Sequence, residues 1–120
     1  MAYDESNIFA RILRGELPCK KVHETEHALA FHDINPLTPI HVLVIPKGPY
    51  TNLDDFSAQA GADEMADFLK AVGDTARLVG AAEGGYRIVA NNGENANQEV
   101  PHFHVHIFAG KQITGRMVRT

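Results

Sequence analysis

The segment His102, Phe103, His104, Val105, His106, Ile107, Phe108 alternates imidazole with apolar side chain. In a strand, alternate residues share a face and recur about 6.6 Å apart at ~3.3 Å rise per residue. The three imidazoles therefore point one way, and Phe103, Val105 and Ile107 bury on the other side. Such a strand needs a sheet to pair it and a second layer to cover its apolar face.

The remaining sequence supplies both. Ser6, a capping residue type, precedes a short helix over 7–13 whose stripe is Ile8, Phe9, Ile12 and Leu13, and Gly15 ends it. Pro18 breaks the chain, and extended runs at Lys21–Glu24 and 28–33 flank a polar corner at 25–27, which reads as a hairpin. Pro36 and Pro39 exclude helix or central strand from 35–39, because each removes a donor and restricts the residue before it; this loop delivers His41. The run 41–45 is nearly all β-favouring and apolar and stops at Pro46, as a buried strand does. Over 62–79, Met65, Leu69, Val72, Ala76 and Val79 recur at helical spacing opposite Asp63, Asp67, Lys70, Asp74 and Arg77. Gly80, Gly84 and Gly85 end that helix, and strands follow at 86–90 and 102–108. The order predicts an α+β fold: a mainly antiparallel sheet with one short N-terminal helix and one long amphipathic helix. With 120 residues and neither repeat nor linker, a single domain over 1–120 is expected.

Charge narrows the partners. Fifteen acidic residues against eleven Lys and Arg give a net charge of −4, which argues against a broad nucleic-acid-binding surface. No segment approaches the roughly 20 apolar residues that span a bilayer, so no membrane association is expected. The single cysteine, Cys19, cannot form an internal disulfide, and the N-terminus lacks a secretory profile; the expected location is cytoplasmic. Cys19 is assigned no chemistry, and His23 and His27, in the early hairpin, are expected to be solvated.

Three readings of the histidine strand stand side by side. It can be a solvated, histidine-rich surface. It can chelate zinc or copper, although no Asp or Cys ligand lies at the usual spacing. Or it can carry a nucleophile: a neutral imidazole is available near pH 7, and the P–N bond it forms becomes labile once its nitrogen is protonated. The apolar residues Ile8, Phe9, Ile12, Phe31 and Ile34 read equally well as ordinary core, and Asp33 and Asn91 as turn and strand-end residues.

The segment 102–108 resembles the signature of the histidine triad (HIT) superfamily, and further blocks resemble its Hint-like branch: Ile8, Phe9 and Ile12; Phe31, His32, Asp33, Ile34, Asn35, Pro36; His41 to Lys47; and Asn91 to Gln98. The resemblance implies a five-stranded sheet and a homodimer joined across the long helices. It also implies hydrolysis of purine nucleoside phosphoramidates or related nucleotide conjugates through a covalent nucleotidyl-histidine, with no cofactor. His104 would be the nucleophile, His106 would hold the phosphate and leaving-group side, and His102 and His41 would support them. Asp33 and Asn91 would bind the ribose, and Ile8, Phe9, Ile12, Phe31, His32 and Ile34 the base. The ligand loop with Asn97, Gln98 and Glu99 would face the phosphate, its backbone donors stabilising charge. The alternatives are a dinucleoside polyphosphate hydrolase of the Fhit type, a nucleotide-binding regulatory module with little turnover, and a metal-binding protein. Two departures stand out. Glu99 replaces the usual Ser, and residues 7–10 lack the cysteines with which some bacterial relatives hold zinc, so no structural metal is expected. The tail, 112–120, would shape the substrate entrance.

Overall fold

The computed structural model describes residues 2–115. Its elements are α1 (Ile8–Leu13), β1 (Lys21–Glu24), β2 (Ala28–His32), β3 (Ile40–Pro46), α2 (Leu53–Gln59), α3 (Ala62–Leu78), α4 (Ala81–Gly84), β4 (Arg87–Val89), a 3-10 turn (Glu94–Ala96) and β5 (Val105–Ala109). The five strands form one sheet in the order β1-β2-β3-β5-β4, every neighbouring pair antiparallel. This is the predicted α+β architecture. No helix among the described residues is long and apolar enough to cross a membrane.

The pleat gives the sheet two different faces. On one, Ala28, Ala30, Val42, Val44, Phe103, Val105, Ile107 and Ala109 pack with Phe68, Ala71, Val72 and Ala76 of α3 and with Phe56 of α2. Alanines on both sides of this contact let the helix lie close to the strands. Asp67 fixes the helix to the first hairpin, accepting hydrogen bonds from the Thr25 hydroxyl (2.6 Å) and the His27 N–H (3.0 Å). On the other face Leu29, Phe31, Leu43 and Ile45 cluster with Phe9 of α1.

Several local expectations are corrected. Asn7, not Ser6, caps α1: its side-chain oxygen accepts the Ala10 N–H at 2.9 Å, while Ser6 bonds to Asp4. Leu69 is 70% exposed, because the buried stripe of α3 runs through Phe68, Ala71, Val72, Thr75 and Ala76 and leaves Leu69 at its margin. Helix α2 was not anticipated, although Asn52 followed by Asp55 signals its start: Asn52 accepts the Asp55 N–H, and Asp55 accepts the Thr51 N–H. The last strand joins the ladder only at Val105, so 102–104 lie outside it, and the chain bends at His102. His23 is half-buried, its Nε2 enclosed without a partner among the described residues, since it pairs with Ala30 and so stands over the covered face. His27 is half-buried as well, 3.0 Å from Glu26. Of the tail, Gly115 is held by Arg87 through its carbonyl; residues 116–120 lie outside the described residues.

Candidate active site

Strands β3 and β5 bring four imidazoles onto the face opposite α3. His106 pairs with Leu43, and His41 with Phe108. Phe108, itself fully buried, stacks under His106 with centroids 5.4 Å apart and planes 6° apart, and touches His41 at 4.4 Å. His104 stands beside His106 at 5.0 Å and beside Phe9 at 5.1 Å. The tight approach of the loop before β3 requires Gly110, which sits at φ +92°; a Cβ there would lie 2.8 Å from Pro39.

Hydrogen bonding sets the tautomer of each ring, because a carbonyl can only accept and a backbone N–H can only donate. His104 Nδ1 lies 2.7 Å from the carbonyl of His102, so Nδ1 carries the proton and Nε2 keeps its lone pair. His102 Nε2 donates to the Pro46 carbonyl at 2.8 Å, and its Nδ1 accepts from the Tyr3 hydroxyl. The Leu37 N–H donates to His41 Nδ1 (3.1 Å), so His41 donates through Nε2 to His106 Nδ1 at 2.9 Å, with Asp33 Oδ2 3.4 Å from the same Nε2. A neutral His106 is left with its proton on Nε2. Among these rings the His104 Nε2 lone pair and the His106 Nε2–H are the two groups that no described hydrogen bond engages, and they stand side by side.

Burial keeps these rings neutral. It pushes His106 down to about 3, helped by neighbouring His104 and His41, and His102 to about 4 against the opposing bond to Pro46. His41 is lowered by burial, opposed by Asp33. His104 is lowered by burial too, but its bond to His102 and the charges of Asp33 and Glu99 oppose the shift. A neutral, nucleophilic His104 at pH 7 follows.

A cavity of about 310 Å³ opens in front of His104 and His106. His41, Asp33, Asn91, Asn97, Glu99, Ile8, Phe9, Ile12, Phe31, His32 and Ile34 all line it, so residues from five separate stretches converge as the sequence analysis expects. His102 does not: it is fully buried behind His104. Gln98 is also outside the lining, because its amide accepts the Gly93 N–H and donates to the carbonyls of Thr51 and Val100, bracing the loop. Several of the loop's backbone donors are used inside it: the N–H groups of Gly93, Ala96, Asn97 and Gln98 all bond within it, as the compact 3-10 turn requires.

Other residues became visible only in three dimensions. Pro18, Cys19, Leu43 and Val100 complete the apolar wall, and no local pattern marked them. Among the described residues no Lys or Arg lines the cavity. The carboxylate missing from the metal reading is present after all: Asp33, His41 and His106 offer ligand atoms within 4.8 Å of one another. Sequence spacing hid it because Asp33 follows β2. In this structure His41 hydrogen-bonds to His106 at 2.9 Å, and the Asp33 carboxylate lies 3.4 Å from the same His41 nitrogen.

A family model described as HIT domain matches residues 14–113. The chain is 67% identical over 111 residues to an uncharacterised 13.2 kDa HIT-like protein of Azospirillum brasilense, covering 92% of this chain and 91% of that protein. A solved HIT family hydrolase from Clostridium thermocellum superposes with a TM-score of 0.86 at 36% identity, covering 95% of this chain and 98% of the other. A histidine triad nucleotide-binding protein from Candida albicans superposes with a TM-score of 0.76 at 30% identity, covering 96% and 86%.

Proposed function

The chain belongs to the HIT domain family, and from that premise we propose that it hydrolyses purine nucleoside phosphoramidates or related nucleotide conjugates to the nucleoside monophosphate. The observation that carries this reading is the His104 ring: its Nδ1 proton is held by the His102 carbonyl at 2.7 Å, leaving Nε2 as a fixed lone pair beside the cavity. Attack by Nε2 on phosphorus forms a P–N bond as the bond to the leaving group breaks with its electrons. The departing nitrogen leaves as the neutral amine, taking a proton from solvent while the His106 Nε2–H hydrogen-bonds to it. Water then cleaves the nucleotidyl-histidine, freeing His104 and returning a proton to solvent. Positioning and charge stabilisation are the protein's main contributions to such a transfer.

In this reading Asp33 and Asn91 bind the ribose, and Ile8, Phe9, Ile12, Phe31, His32 and Ile34 cover the base, as expected of a mostly apolar pocket with a few polar groups. Asn97 and Glu99 face the leaving-group side. Among the described residues the lining has two carboxylates and no Lys or Arg, which disfavours leaving groups that carry further phosphates, so the Fhit-type reading ranks second. The relatives named HIT family hydrolase and nucleotide-binding protein support the general class. The proposal includes a cytoplasmic location and a homodimer, which would cover exposed Leu69, Leu78 and Ile88 along α3 and the outer strand β4; sedimentation measures the latter.

Incubation with an adenosine phosphoramidate tests the activity. Wild type is expected to release AMP and to form an acid-labile adenylyl adduct on His104, whereas equal release by His104→Ala removes the proposed nucleophile. Diadenosine tri- and tetraphosphate in the same assay rank the two substrate classes.

A further inference from the structure

We propose that Tyr3 is a positioning residue for this reaction: held by Asn7 and bonded to His102, it fixes the main-chain carbonyl that orients His104. The inference rests on the phosphoramidase reading for its kinetic effect but not for its geometry. The Tyr3 hydroxyl lies 2.5 Å from His102 Nδ1 and accepts a hydrogen bond from Asn7 Nδ2 at 2.9 Å. Donor and acceptor roles follow without choice. His102 Nε2 must donate to the Pro46 carbonyl, so Nδ1 must accept, and the only proton available on that line is the phenol's. Burial raises the Tyr3 pKa and keeps that proton in place.

Neither Tyr3 nor Asn7 lines the cavity, so neither is placed against substrate. Both also precede residues 14–113, the stretch matched by the family model. Asn7 does a second task with the same side chain, since its oxygen caps α1, the helix that sends Ile8, Phe9 and Ile12 into the cavity. The N-terminal segment therefore ties the base-side wall to the histidine row, 99 positions away in sequence. His102 precedes the β5 ladder, so its carbonyl is held by contacts outside the sheet: the Phe103 N–H of the same peptide bonds to the Tyr50 carbonyl at 2.8 Å, and the His102 ring, which belongs to the same residue as the carbonyl, is tied by Tyr3 and Pro46. Removing the phenol leaves a buried Nδ1 without a donor, and the cost is relieved by a shift of that residue.

Steady-state kinetics on full-length Tyr3→Phe, with an adenosine phosphoramidate as substrate and AMP binding measured alongside, test the effect. We expect kcat to fall about tenfold, with KM and the AMP Kd within about twofold of wild type. Asn7→Ser, which keeps a capping oxygen but loses the amide donor, is expected to lower kcat about threefold in the same pattern. Nitrogen-15 NMR of the histidine rings reads the geometry independently of turnover and, for the wild-type tautomers, of any variant's folding. Wild type should show His102 protonated on Nε2 with Nδ1 accepting, and the His104 Nδ1–H signal should broaden in Tyr3→Phe. Unchanged kcat in Tyr3→Phe, a parallel loss of AMP affinity, or a wild-type His102 protonated on Nδ1 each overturn the proposal. If wild type has no turnover but shows the expected His102 tautomer and the His104 response, the functional reading fails and the positioning of His104 by Tyr3 stands.

Discussion

The two faces of strands β3 and β5 are made by the same few residues yet hold together by different physics. Toward α3 lie Val42, Val44, Phe103, Val105 and Ile107, all buried and apolar, and their stabilisation scales with the area removed from water. Toward the cavity lie His41, His104 and His106, as buried as their neighbours, in which both ring nitrogens of His41 and the Nδ1 of His104 and of His106 have directional partners. A buried polar group is tolerated only when it is bonded. The first face can therefore be repacked by volume, while the second depends on a specific order of donors and acceptors. That order also dictates which nitrogen is left able to react.

Neighbouring substitutions give the strongest test of this contrast. His104→Ala is expected to lower phosphoramidate turnover by at least ~10³-fold, as loss of a nucleophile does, while the protein stays folded. Phe103→Ala, one residue earlier and on the other side, is expected to cost ~3–5 kcal/mol of stability, with kcat in the surviving folded fraction much closer to wild type. Urea melts and active-site-normalised kinetics on both variants make the check. If both substitutions damage stability and turnover alike, the division of labour between the faces is wrong.

Acid should attack one face before the other. His102 and His106 are held at about 4 and about 3 against an ordinary value of 6.5, so the unfolded chain binds protons that the folded chain refuses. Depressed histidine values mean that stability is complete above about pH 6.5 and is lost as pH falls from there toward the folded-state values. Near pH 5 these two rings alone give a slope of roughly 2.7 kcal/mol per pH unit, about 1.4 for each proton. Glu24, held at about 2 by its bonds to Lys47 and Lys21, acts in the same direction but only near and below its ordinary 4.5. Urea melts between pH 7 and 5 measure the slope. His106→Asn should remove about half of it, and an unchanged slope would place the acid sensitivity elsewhere.

What could be read from the sequence divides along the same line. The period of two in 102–108 and the helical spacing of Met65, Val72, Ala76 and Val79 are local patterns, and they gave the strand, the long helix and the shared side of the imidazoles. Partner identity is local only in part. The His102 carbonyl that sets His104 and the Leu37 N–H that sets His41 are near neighbours in sequence, whereas nothing near His102 points to Tyr3 or to the Pro46 carbonyl, and Asp33 reaches His41 only through the pairing of β2 with β3. Loop 93–98 illustrates a different loss: its polar composition suits anion binding, but the turn it adopts uses the N–H groups of Gly93, Ala96, Asn97 and Gln98 internally. Leu69 shows that a periodic apolar residue can stand at the margin of a buried stripe.

The smallest expected effect tests how dry the apolar face is. Thr75 is fully buried on α3, and its hydroxyl has no hydrogen-bond partner among the described residues. An unpaired hydroxyl in such a place costs free energy that a methyl group of similar size does not. Valine has nearly the same shape and a similar helix propensity, so neither packing nor backbone preference should oppose the exchange. Thr75→Val is therefore expected to raise stability by ~1 kcal/mol and leave turnover unchanged, as read by thermal and urea melts. A loss of similar size would mean that the hydroxyl bonds to the preceding turn of its own helix in solution, and that this face also relies on a directional bond. The matching exchange on the other face has the opposite expected sign. There Asn7→Ser and Tyr3→Phe each remove a partner from a bonded ring, so the direction of the change, more than its size, separates the two kinds of interior.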